Sequence, residues 1–163
     1  MFSISLIDWN NVSYETTEKF VPPISYGKVV KVYDGDTITV ATPLNNTRSP
    51  IYNFSVRLRG IDTPEIHGKT KEEKAAAVNA RNALSAKILG KMVFLQNIDI
   101  EKYGRILADV FLEENEKEDQ SLSDWMLENK YAMTYDGGKK AEWNAETLEN
   151  NTKPDDFYKI TTW

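Results

Sequence analysis

The chain of 163 residues contains no cysteine and a single histidine, His67. Disulfides, thiolate metal sites and a thiol nucleophile are therefore excluded, and a zinc site is not expected. Long hydrophobic runs are missing too, because no stretch approaches the roughly 18 apolar residues of a membrane span. The first residues, MFSISLIDWN, lack the basic start and apolar middle of a signal peptide. We expect no membrane contact and favour an intracellular location, while the compartment itself stays open.

Basic charge is also in short supply, with 20 basic and 25 acidic residues giving a formal net charge of −5. The acidic excess lies in residues 113–163, which carry 6 basic and 13 acidic side chains. Lys and Arg contacts to phosphates supply most non-specific affinity for nucleic acid, so a purely electrostatic polyanion binder is disfavoured. The length and the 40% hydrophobic composition fit one globular domain.

Alternating and β-branched runs predict five strands. The segment GKVVKVYDGDTITV predicts two strands that meet at a turn, and IYNFSVRLRG predicts the third. Residues 72–89 follow with apolar side chains at helical spacing and with a glycine just beyond, which predicts a helix. MVFLQNI and RILADVFL predict the fourth and fifth strands.

Two helices are predicted after the strands. Ser121 can cap a short helix, and apolar spacing predicts a last helix around residues 138–150. An acidic loop, residues 113–119, separates them from the fifth strand. The order of elements predicts a mainly β, α+β fold: a five-stranded oligonucleotide/oligosaccharide-binding (OB) barrel with a helix between strands three and four and two C-terminal helices. We predict an N-terminal extension over 1–24, the barrel domain over 25–150 and a tail over 151–163.

Acidic residues stand where two of the predicted strands meet their turns. Asp36 follows the first turn, in DGDT, and Asp62 follows the third strand, in VRLRGIDTPE. If strands two and three are neighbours, both carboxylates converge at one end of the barrel. Two carboxylates, a backbone carbonyl and waters are the donors that Ca²⁺ requires. An EF-hand interpretation of DGD fails, because Asn45 stands at the twelfth position, where a glutamate is needed.

Another carboxylate and two arginines would complete a set suited to phosphoryl transfer. Pro64 holds Thr63 extended and so fixes the direction of the Thr63 carbonyl. Glu65 comes next, where a carboxylate can orient or deprotonate a water with the help of a metal. Arg57 and Arg105 are candidates to clamp a phosphate, because a guanidinium binds oxyanions bidentately and stays charged. Single acids of this kind more often form turns, so the interpretation depends on the whole set.

The ordered motifs DGDT, R-x4-DTPE and YGR resemble the staphylococcal (micrococcal) nuclease family over roughly residues 26–150. The resemblance implies an OB-fold, Ca²⁺-dependent hydrolase that cleaves phosphodiester bonds of DNA and RNA. We expect it to favour single strands and to act as a monomer. The resemblance also implies Ca²⁺ binding by the side chains of Asp36 and Asp62 and by the carbonyl of Thr63.

The same resemblance assigns the remaining roles. Glu65 would act on the attacking water, and Arg57 and Arg105 would grip the scissile phosphate. Positions that line the nucleotide site in the family correspond here to Lys102 and Tyr103, with Tyr135 as the nearest candidate for a third.

Two other interpretations stay open. A non-catalytic, nuclease-like OB module that binds nucleic acid or protein would be expected to lose some of these acids or arginines, and here all are present. A plain OB domain for oligosaccharide or protein leaves the coincidence of R-x4-DTPE and YGR unexplained. Calcium-dependent cleavage of single-stranded DNA separates the nuclease from both.

Overall fold

The computed structural model describes residues 7–114 and 120–150. The start of the predicted extension (1–6), most of the acidic loop (115–119) and the predicted tail (151–163) lie outside the described residues. The strands are β1 (Tyr26–Val32), β2 (Thr37–Thr42), β3 (Tyr52–Leu58), β4 (Ile61–Asp62), β5 (Met92–Ile100), β6 (Ile106–Leu112) and β7 (Met133–Thr134). The helices are α1 (Lys71–Ile88), α2 (Leu122–Glu128) and α3 (Ala145–Asn150), and Trp9–Asn11 forms one 3-10 turn.

Five of the strands close into a barrel in the order β1-β2-β3-β6-β5. Neighbouring strands run antiparallel except β3 and β6, which are parallel. Helix α1 connects β4 to β5, so it lies between the third and fourth strands of the barrel. The predicted OB barrel with an inserted helix is therefore confirmed, with the turn after β1 at the predicted DG dipeptide.

One apolar core fills the barrel and the space beneath α1. Inward-facing residues of the strands, such as Val29, Val56 and Val110, are fully buried. Helix α1 adds Leu84 and Ile88 to the same core, because its apolar residues recur at helical spacing. None of the helices within the described residues is long and apolar enough to cross a membrane.

The register of the central strands brings one end of the barrel together. Thr37 is paired with Arg57 across β2 and β3, and Arg57 is paired with Leu107 across β3 and β6. Asp36 directly precedes Thr37, and Arg105 lies two residues before Leu107. These charged residues therefore share one rim of the barrel.

The last helix begins later than its apolar spacing indicates, so the prediction of a helix around 138–150 is wrong in its first half. Gly137 has a φ of +92°, a left-handed conformation that does not continue into a helix. Asn144 then accepts a hydrogen bond from the backbone N–H of Thr147 at 3.0 Å, in the manner of an N-cap. Residues 137–144 consequently form an irregular, mostly exposed segment.

A second, two-stranded sheet was not predicted from the sequence. Strands β4 and β7 pair antiparallel, with Ile61 opposite Thr134 and Asp62 opposite Met133. Gly60 makes this possible, because its φ of +84° turns the chain sharply at the end of β3. The pairing ties Asp62 to the chain that follows α2.

Candidate active site

Arg57 lies between the two predicted carboxylates at the barrel rim. Its Nη2 is 3.2 Å from Oδ2 of Asp36 and 3.3 Å from Oδ1 of Asp62. All three residues are buried, with exposed fractions of 6%, 6% and 3%. The ring of Tyr135 covers the guanidinium, with its centroid 5.0 Å from Cζ. The structure thus brings together three of the predicted site residues, although their roles stay predictions.

A close approach of two loops places Gly35, which directly precedes Asp36, next to Thr63. A Cβ atom on Gly35 would lie only 2.8 Å from Cγ2 of Thr63, so a larger residue at position 35 would push the loops apart. Thr63 itself is buried, with 2% of its surface exposed. The turn glycine is therefore required for the approach of the two segments that carry the candidate ligands.

The carboxyl group of Asp36 is electrostatically strained. Burial raises its pKa to about 6, and the nearby charge of Asp34 adds to the effect, while Arg57 opposes it. The hydroxyl of Thr37 donates a hydrogen bond of 2.9 Å to Oδ1 of Asp36 and so also favours the charged form. Burial and the charge of Asp34 thus both favour the protonated form of Asp36.

Arg105 approaches the same carboxylate through Thr37. Its Nε donates to Oε1 of Glu101 at 3.1 Å, and its Nη1 donates to Oγ1 of Thr37 at 3.4 Å. Partial burial alone would lower the pKa of Arg105, but the hydrogen bond and charge of Glu101 raise it. Glu101 therefore holds Arg105 in the orientation in which its guanidinium points towards the pair formed by Thr37 and Asp36.

Glu65 is the most exposed of the candidate catalytic groups, with 60% of its side chain accessible. Oε1 of Glu65 forms an ion pair of 3.1 Å with Nζ of Lys140, and the same Nζ is 2.9 Å from Oδ1 of Asp62. The indole N–H of Trp143 donates to Oδ2 of Asp62 at 3.3 Å. Two side chains of the irregular segment 137–144 thus contact the carboxylates of Asp62 and Glu65.

The predicted nucleotide contacts lie at the edge of this cluster. Lys102 and Tyr103 occupy the turn between β5 and β6, and Nζ of Lys102 is 5.0 Å from the centroid of the Tyr103 ring. Tyr103 is 75% exposed, so its ring faces solvent. Within the described residues, neither side chain makes a hydrogen bond or ion pair with the carboxylates. Tyr135, in contrast, lies against Arg57 and also lines a cavity of about 390 Å³ beside Asp62.

The available donors fit a hard cation. Across the described residues, no group of three or more acidic, histidine or cysteine side chains is arranged to hold a metal. What the rim offers is the two carboxylates of Asp36 and Asp62 and the backbone of Thr63, which are oxygen donors only. Both carboxylates already contact one and the same cationic nitrogen of Arg57, so they face a common point. Such a small oxygen set, completed by water, suits Ca²⁺ better than a transition metal.

Four site residues were not found from the sequence. Thr37 is the last residue of the DGDT motif, and Glu101 lies two residues before the YGR motif. Lys140 and Trp143 are separated from Asp62 by about half of the chain, and their only signal is a pair of lysines in an otherwise acidic region.

Comparisons with known proteins agree with the architecture. A family model described as staphylococcal nuclease homologue matches residues 55–155. The probable endonuclease LCL3 of Kluyveromyces lactis is 31% identical over 112 residues, which cover 69% of this chain and 41% of that protein. The uncharacterized protein MJ1439 of Methanocaldococcus jannaschii is 31% identical over 130 residues, covering 68% and 59%. Protein ParB of Escherichia coli is 34% identical over 86 residues, covering 53% and 41%.

The matches extend over only part of each relative. The chain spans about two fifths to three fifths of the length of these three proteins. The stretch matched by the family model includes the end of β3, the rim segment with Asp62 and Glu65, and the turn that leads to Arg105.

Proposed function

Because this chain belongs to the family of staphylococcal nuclease homologues, we propose that it is a nuclease that hydrolyses phosphodiester bonds of DNA and RNA with the help of Ca²⁺. The observation that carries the proposal is the convergence of Asp36 and Asp62 on Nη2 of Arg57, with Glu65 linked to the same group through Lys140. Two relatives are named probable endonucleases, from Kluyveromyces lactis and Schizosaccharomyces pombe, which supports the same class of reaction.

Asp36, Asp62 and the carbonyl of Thr63 would hold the cation. Ca²⁺ bound there would supply positive charge that offsets the negative charge developing on the phosphate. Burial and the charge of Asp34 raise the pKa of Asp36, and a bound cation would offset both effects, which supports this assignment.

The protein side chains would carry out the proton transfer and position the phosphate. Glu65 would take a proton from a water as its oxygen attacks phosphorus, and the bond from phosphorus to one ester oxygen would break. The products are a phosphomonoester and an alcohol, which balances the water consumed. Arg57 contacts the carboxylates with one nitrogen only, so its other N–H groups are left for the phosphate oxygens. Arg105 would supply a second guanidinium.

Single-stranded substrates are favoured by the exposed ring of Tyr103. An aromatic ring that faces solvent next to a lysine can stack on an unpaired base and contact its backbone, whereas bases in a duplex are already stacked. The substrate would then extend from Tyr103 across Arg105 towards Glu65. We also propose that the protein works as a monomer, which light scattering of the purified chain would test.

Digestion of denatured DNA tests the proposed activity. We expect cleavage with Ca²⁺, no cleavage with a chelator, and weak cleavage with Mg²⁺, because Mg²⁺ demands a more regular coordination shell than two carboxylates and a carbonyl offer. Glu65→Gln, purified in parallel, is the control for contaminating nucleases. Cleavage that persists in chelator would contradict the Ca²⁺ dependence. Binding of DNA without cleavage under any of these conditions would favour the non-catalytic module.

A further inference from the structure

Two side chains from the segment 137–144 contact the carboxylate oxygens of Asp62. Lys140 donates to Oδ1 at 2.9 Å, and Trp143 donates to Oδ2 at 3.3 Å. Arg57 also donates to Oδ1, at 3.3 Å. The carboxylate is only 4% exposed, so these three donors take up most of its accessible acceptor positions. We refer to Lys140 and Trp143 together as the carboxylate cap.

Lys140 also neutralises the second acid of the rim. Its Nζ bridges Asp62 and Glu65, at 2.9 Å and 3.1 Å, so one ammonium group satisfies a candidate metal ligand and the candidate base together. One ammonium group therefore faces two carboxylates within ion-pair distance. A divalent cation that binds Asp62 would meet this positive charge at the same oxygen.

We propose that the carboxylate cap is a built-in competitor for the divalent cation, so that Lys140 leaves Asp62 when Ca²⁺ binds and lowers the affinity of the site for Ca²⁺. The inference rests on the proposed calcium site. The cap thereby sets the calcium concentration at which the site fills, and its displacement frees Glu65.

The anchoring of the segment allows this exchange without unfolding. On one side the backbone N–H of Tyr135 donates to the carbonyl of Gly60 at 2.9 Å, next to the β4–β7 pair. On the other side α3 packs against α1. Between these anchors the side chain of Lys140 is 45% exposed and can extend into water. Its displacement therefore requires a change of rotamer and no rearrangement of the barrel.

Calorimetric titration of the substrate-free protein with CaCl₂ tests the competition. Exposed ion pairs each change an equilibrium by up to about fivefold, so removal of both contacts should tighten Ca²⁺ binding on the order of tenfold. Lys140→Gln removes the ion pairs with Asp62 and Glu65 with little change in side-chain volume. Lys139→Gln is the matched control, because this exposed neighbour has the same charge and makes no ion pair with the described residues. We expect its affinity to stay within about twofold of wild type.

Intrinsic fluorescence gives a second readout on the wild-type chain. The indole N–H of Trp143 is hydrogen-bonded to Asp62, so binding of Ca²⁺ should change the emission of Trp143. The midpoint of this change should lie at the same Ca²⁺ concentration as the midpoint found by calorimetry. The same titration of Trp143→Phe should show no such change, which separates this signal from those of the other tryptophans. The fluorescence arm also covers the case in which Lys140→Gln fails to fold.

The outcomes separate the cap from the calcium site. Equal Ca²⁺ affinity of wild type, Lys140→Gln and Lys139→Gln would overturn the cap and leave the calcium site standing. If calorimetry detects Ca²⁺ binding but the emission of Trp143 does not change, the cap is overturned in the same way. Failure of all three proteins to bind Ca²⁺ would overturn the calcium site, and the cap with it, because nothing would remain for Lys140 to compete with.

Discussion

Replacement of Arg57 by glutamine tests whether the barrel rim is an incomplete cation site. The guanidinium supplies buried positive charge shared by two carboxylates at 3.2 Å and 3.3 Å. Glutamine removes this charge and leaves Asp36 and Asp62 facing each other, with Lys140 on only one of them. The variant should therefore be less stable near neutral pH, and a cation from solution should restore part of the loss.

The size of the effect follows from the burial of the pair. Loss of one partner from a buried ion pair costs about 3–5 kcal/mol, because the remaining charge is uncompensated. In a domain of this size, each kcal/mol lowers Tm by a few degrees, so we expect a decrease of roughly 10–15 °C in chelator. Ca²⁺ should then stabilise the variant more than wild type. We expect the deficit to shrink by at least about 1.4 kcal/mol, which corresponds to a tenfold tighter Kd.

Urea unfolding curves, measured with chelator and with saturating Ca²⁺, give the two free energies of unfolding for each protein. Arg59→Gln is the control, since Arg59 pairs with Asp109 and donates to backbone carbonyls but contacts neither rim carboxylate. Its loss of stability should be the same with and without Ca²⁺. If Arg57→Gln shows the same deficit under both conditions, Arg57 and the cation do not share the carboxylates, and the site has been placed wrongly.

Three further substitutions test single contacts. Glu65→Gln should lower kcat by about 10²–10⁴-fold at unchanged Tm, because a base is lost from an exposed position; a near-normal kcat would remove Glu65 from the mechanism. Tyr103→Ala should raise KM for single-stranded DNA on the order of tenfold through lost stacking, and an unchanged KM would place the substrate elsewhere. Glu101→Gln should lower kcat/KM by loosening Arg105. Partial burial would raise the pKa of Glu101, but its hydrogen bonds and ion pair with Arg105 lower the pKa overall. The pair therefore stabilises the folded protein above pH 4.5, and wild type should lose this stabilisation as the pH falls below 4.5, whereas the variant should not. Identical acid unfolding of the two proteins would contradict the pairing.

The sequence was sufficient to predict the barrel and the acid–arginine cluster because both depend on local patterns. Alternating residues define the strands, and DGDT and DTPE place their acids at strand ends. Once β2 and β3 pair, their register puts Asp36 beside Arg57 without further information. The functional roles of these residues stay predictions.

Lys140 and Trp143 could not be predicted in the same way. They lie in a segment without helical or strand periodicity, and their contacts with Asp62 are set by the β4–β7 pairing and by the late start of α3. The apolar spacing around 138–150 favoured a longer helix, but the φ of Gly137 and the cap formed by Asn144 limit it. Long-range packing thus decided what local propensity left open.

The pairing of Asp62 with Met133 also orders events while the chain is synthesised. The last strand of the barrel ends at Leu112, whereas Met133, the partner of Asp62 in the short sheet, follows about 20 residues later in the chain. A nascent chain can therefore complete its barrel while the carboxylate rim still lacks its second sheet, Tyr135 and Lys140.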